Sequence, residues 1–94
     1  MDQDPLGQQA KCVRKLGETE IWAKDLEDGS KAVGLFNRGE KETEVTLKWS
    51  DLGIQGKQDV RDLWSQQDLG EQDNEYSALV PRHGVVLVKI KKHG

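Results

Sequence analysis

Ninety-four residues bound the chain to one small domain with a single thin core. Hydrophobic residues make up 34% and charged residues 33%, for a formal net charge of -3. Lys and Arg are interspersed with Asp and Glu, which argues against nucleic acid and against an anionic membrane as partners, since both demand clustered cations. The apolar residues gather in strand-length runs instead of scattering among the charges, so the composition fits a folded, half-solvated scaffold better than disorder.

Met1–Gln9 holds the turn signal Asp4-Pro5-Leu6-Gly7 and reads as an extended lead-in. Lys11–Leu16 is the first strand candidate, broken by Gly17. Glu20–Leu26 alternates Ile21 and Ala23 on one face with Trp22 and Lys24 on the other, so both faces carry something apolar. Asp28-Gly29 is the strongest hairpin signal in the chain. Lys31–Asn37, nearly continuous in apolar residues, is expected to be central, with Gly34 marking a close approach by a backbone or a large ring.

Asn37–Glu40 is a turn, and Lys41–Trp49 alternates cleanly, Thr43, Val45, Leu47 and Trp49 inward and Glu42, Glu44, Thr46 and Lys48 to water. Ser50–Gly56 is a compact loop whose Leu52 and Ile54 tuck under the fold. Lys57–Trp64 is the next strand, where Asp62 needs a partner if buried. Ser65–Asn74 is read as a polar turn anchored by Leu69. Glu75–Val80 resumes strand character, Pro81–Gly84 turns, and Val85–Ile90, the most β-branched run, is expected inside. Turn signals roughly every ten residues predict an all-β, two-layer antiparallel sandwich of seven or eight strands, Greek-key type.

The chemistry-bearing residues are sparse. Asp59, Asp62 and Asp68 lie close in sequence, but a strand and a turn aim them in different directions, so no catalytic pair is expected. His83, His93 and Cys12 lack the spacing of a zinc site, and no metal and no cofactor are predicted. Cys12, the single cysteine, has no internal partner and reads as a small strand residue. No apolar run approaches the ~20 residues of a spanning helix, and Met1 is not followed by a signal-type segment, which leaves the compartment open.

Taken in order, D-P-L-G at 4–7, I-W-A-K at 21–24, D-G-S-K-A-V-G-L-F-N-R-G at 28–39, W-S-D-L-G at 49–53, V-R-D-L-W at 60–64, D-L-G at 68–70 and P-R-H-G-V-V-L at 81–87 resemble one known family. It is the C-terminal β-sandwich of the melibiase-type α-galactosidases and α-N-acetylgalactosaminidases. The resemblance implies a sandwich that follows a catalytic (β/α)8 barrel, with residues 1–10 as the linker from a barrel absent here and 11–94 as the sandwich. The two catalytic aspartates of that family sit on the barrel, so no catalytic residue is carried over. Cys12 matches none of the family's motifs.

The resemblance therefore implies a non-catalytic accessory domain of a retaining glycoside hydrolase, with the barrel as its partner. Leu6, Trp22 and Trp64 are expected to face that barrel and, in the isolated chain, to leave an apolar patch that drives weak self-association. The alternative is a carbohydrate-binding module for galactose-containing glycans, with Trp22 and Trp64 stacking on sugar rings.

Overall fold

The computed structural model describes residues 10–26, 29–63 and 65–92. Eight strands follow one another: β1 Lys11–Leu16, β2 Thr19–Asp25, β3 Lys31–Asn37, β4 Thr43–Lys48, β5 Lys57–Asp62, β6 Gln67–Asp73, β7 Glu75–Val80 and β8 Val85–Lys92. A six-stranded antiparallel sheet runs in the order β1-β2-β3-β8-β5-β6, and β4 and β7 pair as a second, two-stranded sheet. The expected two-layer sandwich is what forms.

The apolar runs take the central positions. β3 and β8 pair with one another in the middle of the large sheet, where a strand can be covered on both faces. The inner face carries Ile21, Ala23, Val33, Leu35, Val60, Val88 and Ile90, and the small sheet closes over it with Val45, Leu47, Val80 and the ring of Trp49. Trp49, expected as the last residue of β4, instead begins a 3-10 turn at Trp49–Leu52. It is 1% exposed, and its Nε1 donates to the Gln72 carbonyl at 3.3 Å. Leu52 and Ile54 pack against the same core, as the loop's apolar residues predicted.

The crossover from the large sheet to the small one is held by a buried amide. Asn37, 2% exposed, donates from Nδ2 to the carbonyls of Lys41 at 2.7 Å and Val80 at 3.0 Å, and its Oδ1 accepts from the Gly39 amide at 2.9 Å. One side chain thus satisfies three backbone groups where β3 leaves its sheet.

One expectation fails. Residues 67–73, read as part of a polar turn, form the edge strand β6, paired along its backbone to β5. Five of its seven residues are exposed and the two half-buried ones, Leu69 and Gln72, are three apart, so the alternation that reveals a half-buried strand is missing. Gln66 and Asn74, both at positive φ, turn the chain at its two ends. Both edge strands of the large sheet carry a register shift, at Cys12/Arg14 in β1 and opposite Val60/Arg61 in β6. The extra residues are Val13 and Leu69, and both are partly buried against the core. A bulge at each edge thus re-aims one apolar side chain inward while breaking the regular ladder that a foreign strand would need.

Candidate interaction surface

The outer face of the large sheet is the unusual region. Cross-strand register aligns Cys12, Trp22, Gly34 and Leu87 in one row, and Leu63, whose amide donates to the Leu87 carbonyl at 3.0 Å, extends it. At the spacing of paired strands the row runs about 19 Å. Ala32 and Leu87 are buried on this face, and Ala10, Trp22, Leu26, Leu63 and Val85 pack against them. Gly34 is itself buried between Trp22 and Leu87 in register, which fits the close approach expected of it.

Mostly polar groups border the row on one side and a mixed set on the other. On one side, Lys24, Ala32, Lys89, Arg61 and Asp68 are successive cross-strand partners, with Arg61 and Asp68 in an ion pair at 3.2 Å. On the other side, Glu20, Phe36 and Val85 align. Glu20 there accepts from the Trp22 indole Nε1 at 3.0 Å and from the Arg38 Nε at 3.2 Å, and the Arg38 guanidinium lies 5.8 Å from the Phe36 ring centre. The indole hydrogen bond holds the Glu20 carboxyl below its ordinary range, partial burial opposes that, and the Arg38 charge reinforces it. The one polar atom of Trp22 is thus satisfied within its own domain, and its ring needs no polar partner from outside. Beside Phe36 and Arg38 a shallow depression of about 280 Å³ extends to His83, Gly84 and Val85.

The remaining expected residues do not converge. Leu6, Trp64 and His93 lie outside the described residues, so of the three proposed surface residues only Trp22 is placed. Asp62 accepts from the Ser65 amide at 3.1 Å, which supplies the partner its position called for, while Asp68 pairs with Arg61. His83 meets Glu40 at 3.3 Å on the surface, and the exposed Cys12 thiol donates to the Arg14 carbonyl at 3.5 Å. Among the described residues no group of three or more His, Cys, Asp or Glu is placed to hold a metal ion. The row from Cys12 to Leu63 escapes sequence reasoning except for Trp22. Its signal is the two-sided apolar character of β3 and β8, but the register that aligns it is not visible along the chain.

Residues 16–90 match the model of the alpha galactosidase C-terminal beta sandwich domain. The chain belongs to that family. The family resemblance read from the motifs is therefore correct. Among relatives, the chain is 39% identical over 85 residues to the alpha-galactosidase of Cyamopsis tetragonoloba, a match covering 88% of this chain and 21% of that protein. It is 40% identical over 82 residues to the isomalto-dextranase of Arthrobacter globiformis, covering 82% of this chain and 13% of that one. The crystal structure of a β-L-arabinopyranosidase from Geobacillus stearothermophilus superposes with a TM-score of 0.86 at 28% identity, over 90% of this chain and 20% of that one. The chain thus spans about a fifth or less of these relatives.

Proposed function

We propose that the chain is the accessory domain of a retaining glycoside hydrolase of the α-galactosidase type, and that it supports a catalytic (β/α)8 barrel without itself touching substrate. Residues 1–10 are the linker from that barrel and residues 11–94 the supporting sandwich. The observation that carries this reading is the company the domain keeps. It recurs at 39%, 40% and 28% identity in enzymes named for an α-galactoside, an isomalto-dextran and a β-L-arabinopyranoside. A domain shared by enzymes of different substrates is suited to holding a catalytic domain in shape, not to selecting the sugar.

Two measurements test this. The 94-residue chain should leave an aryl α-galactoside unhydrolysed, and a fusion in which it replaces the corresponding sandwich of the Cyamopsis enzyme should hydrolyse it and resist heat better than that enzyme's barrel alone. Turnover by the isolated chain that is abolished on mutating one of its own acids sinks the reading, and so does a fusion no more stable than the bare barrel.

The glycan-binding alternative draws on one feature, the partly exposed ring of Trp22 with Glu20 and Arg38 beside it. Titration with melibiose, galactose and a galactomannan fragment separates the two readings. Indole shifts that saturate and vanish in Trp22→Ala would make the chain a carbohydrate-binding module.

A further inference from the structure

We infer that the open edge of β4, with the groove beside it, takes up an extended polypeptide segment as an added antiparallel strand. The inference goes beyond the accessory reading and does not depend on it. Its starting point is a difference between the edges of the two sheets. β1 and β6, the edges of the large sheet, each carry a bulge that interrupts the ladder. The β4-β7 pairing runs from Thr43↔Val80 to Lys48↔Glu75 without a register shift, and among the described residues β4 pairs with β7 alone. Its far side therefore presents a regular row of unpaired main-chain donors and acceptors, the template that an added strand needs.

A groove of about 130 Å³ lies beside that edge, between Glu44, Thr46 and Lys48 of β4 and Arg14, Leu16 and Thr19 of the first two strands. Leu16 is the cross-strand partner of Thr19, two residues from the buried Ile21, so its side chain points to the same side of the large sheet as the core. It is nevertheless 65% exposed. Of the two large apolar side chains that stay exposed among the described residues, Leu79 faces outward from the small sheet and Leu16 alone lies on the inner side. A strand laid along β4 covers it.

Charge defines the occupant. Glu44 and Lys48 are exposed, stand two residues either side of Thr46, and enter no ion pair among the described residues. An antiparallel segment matches them when it carries an anion opposite Lys48 and, four residues on, a cation opposite Glu44, with apolar residues at the positions between that turn toward Leu16. The sequence of β4 has this pattern itself: read antiparallel about Thr46, Glu-Val-Thr-Leu-Lys sets each Lys against a Glu and turns Val and Leu inward. A second folded copy is a poor donor of it. Antiparallel continuation relates two copies by a twofold axis normal to the sheet, which puts both large sheets in one layer, and β1 and β2 already extend beneath the open edge. The occupant is accordingly a partner's single extended segment of the acidic-apolar-x-apolar-basic type, with no layer of its own beneath it.

The probe is a blocked peptide with the sequence of residues 43–48, titrated into the 94-residue chain and followed by amide shifts and hydrogen exchange. Expected are saturable shifts at residues 44–48 and at Leu16 and Thr19. The amides on the open side of β4 should exchange about tenfold more slowly once the peptide stands at about ten times its dissociation constant. A peptide with its Glu and Lys exchanged sets like charges against Glu44 and Lys48 and should bind about tenfold more weakly. In the double variant Glu44→Lys, Lys48→Glu that preference should invert, and Leu16→Lys should weaken both peptides. Equal affinity of the two peptides for the unmutated chain, shifts centred on another face, or no shifts at millimolar peptide overturns the inference. So does slowed exchange along β4 that appears with rising protein concentration alone, since a second copy is then the occupant. The comparison of the two peptides on the unmutated chain decides the matter even if a variant fails to fold, and the accessory reading is decided separately by the fusion.

Discussion

The two outward surfaces of this sandwich are built on different plans. Outside the small sheet, Thr46 and Ser77 share a hydroxyl hydrogen bond of 2.8 Å between Glu44, Lys48 and Glu75, as expected of a face that meets water. Outside the large sheet, Trp22, Ala32, Leu63, Val85 and Leu87 cluster over strands whose inner faces are already spent on the core. Both surfaces belong to one antiparallel domain with the same backbone chemistry, so the contrast lies in the side chains. The outside of the small sheet is polar, whereas that of the large sheet carries an apolar cluster.

The largest expected effect lies beneath that contrast, in the core between the layers. Leu35, at 0% exposure, faces the small sheet, and Leu35→Ala should cost about 2 to 5 kcal/mol in denaturant unfolding. Leu87, 5% exposed on the opposite face, should lose less on Leu87→Ala, about 1 to 2 kcal/mol, because the partly exposed side chains that cover it can relax into the vacated space. Equal losses at the two sites would break the comparison, for the outer cluster would then be a second finished core.

Trp22→Phe sharpens it at intermediate size. The ring remains, but the indole donor is lost, so the Glu20 carboxyl should titrate closer to its ordinary range in a carbon-detected NMR titration. Because the folded-state value of Glu20 is depressed, its contribution to stability is present above the unfolded carboxylate range and disappears as pH falls through the folded value. The stability gap between wild type and Trp22→Phe should accordingly narrow on acidification. A gap that widened in acid would show that Glu20 is not the group holding the indole. The smallest effect belongs to the polar face, where Leu79→Lys, at a residue 59% exposed, should move the unfolding midpoint by no more than about 0.5 kcal/mol in stability terms. A larger loss would mean that Leu79 packs within the domain more than its exposure implies.

How far these features can be read along the chain depends on how local they are. β3 and β8 are legible because seven and eight residues of mostly apolar character leave neither face polar, and that pattern already says both faces will be covered. β6 is illegible for the opposite reason: an edge strand whose side chains mostly meet water carries no period-two imprint. The Asn37 clamp is equally hidden, since an Asn before a turn glycine is ordinary, and its hold on the Val80 carbonyl spans 43 residues of sequence. Trp22 could be singled out as a surface aromatic, but Gly34, Leu87 and Leu63 could not be joined to it without three strand pairings.

By itself the sequence determined the all-β class, the family, the central strands and the inward pair Val45 and Leu47, because alternation and turn chemistry are properties of neighbouring residues. Only the tertiary structure decided which apolar face lies under the small sheet and which lies open. A strand's two faces are equivalent along the chain until crossovers such as the one held by Asn37 carry β4 and β7 to one side of the sheet. That choice of side leaves Trp22 and Leu87 on the outside of the large sheet.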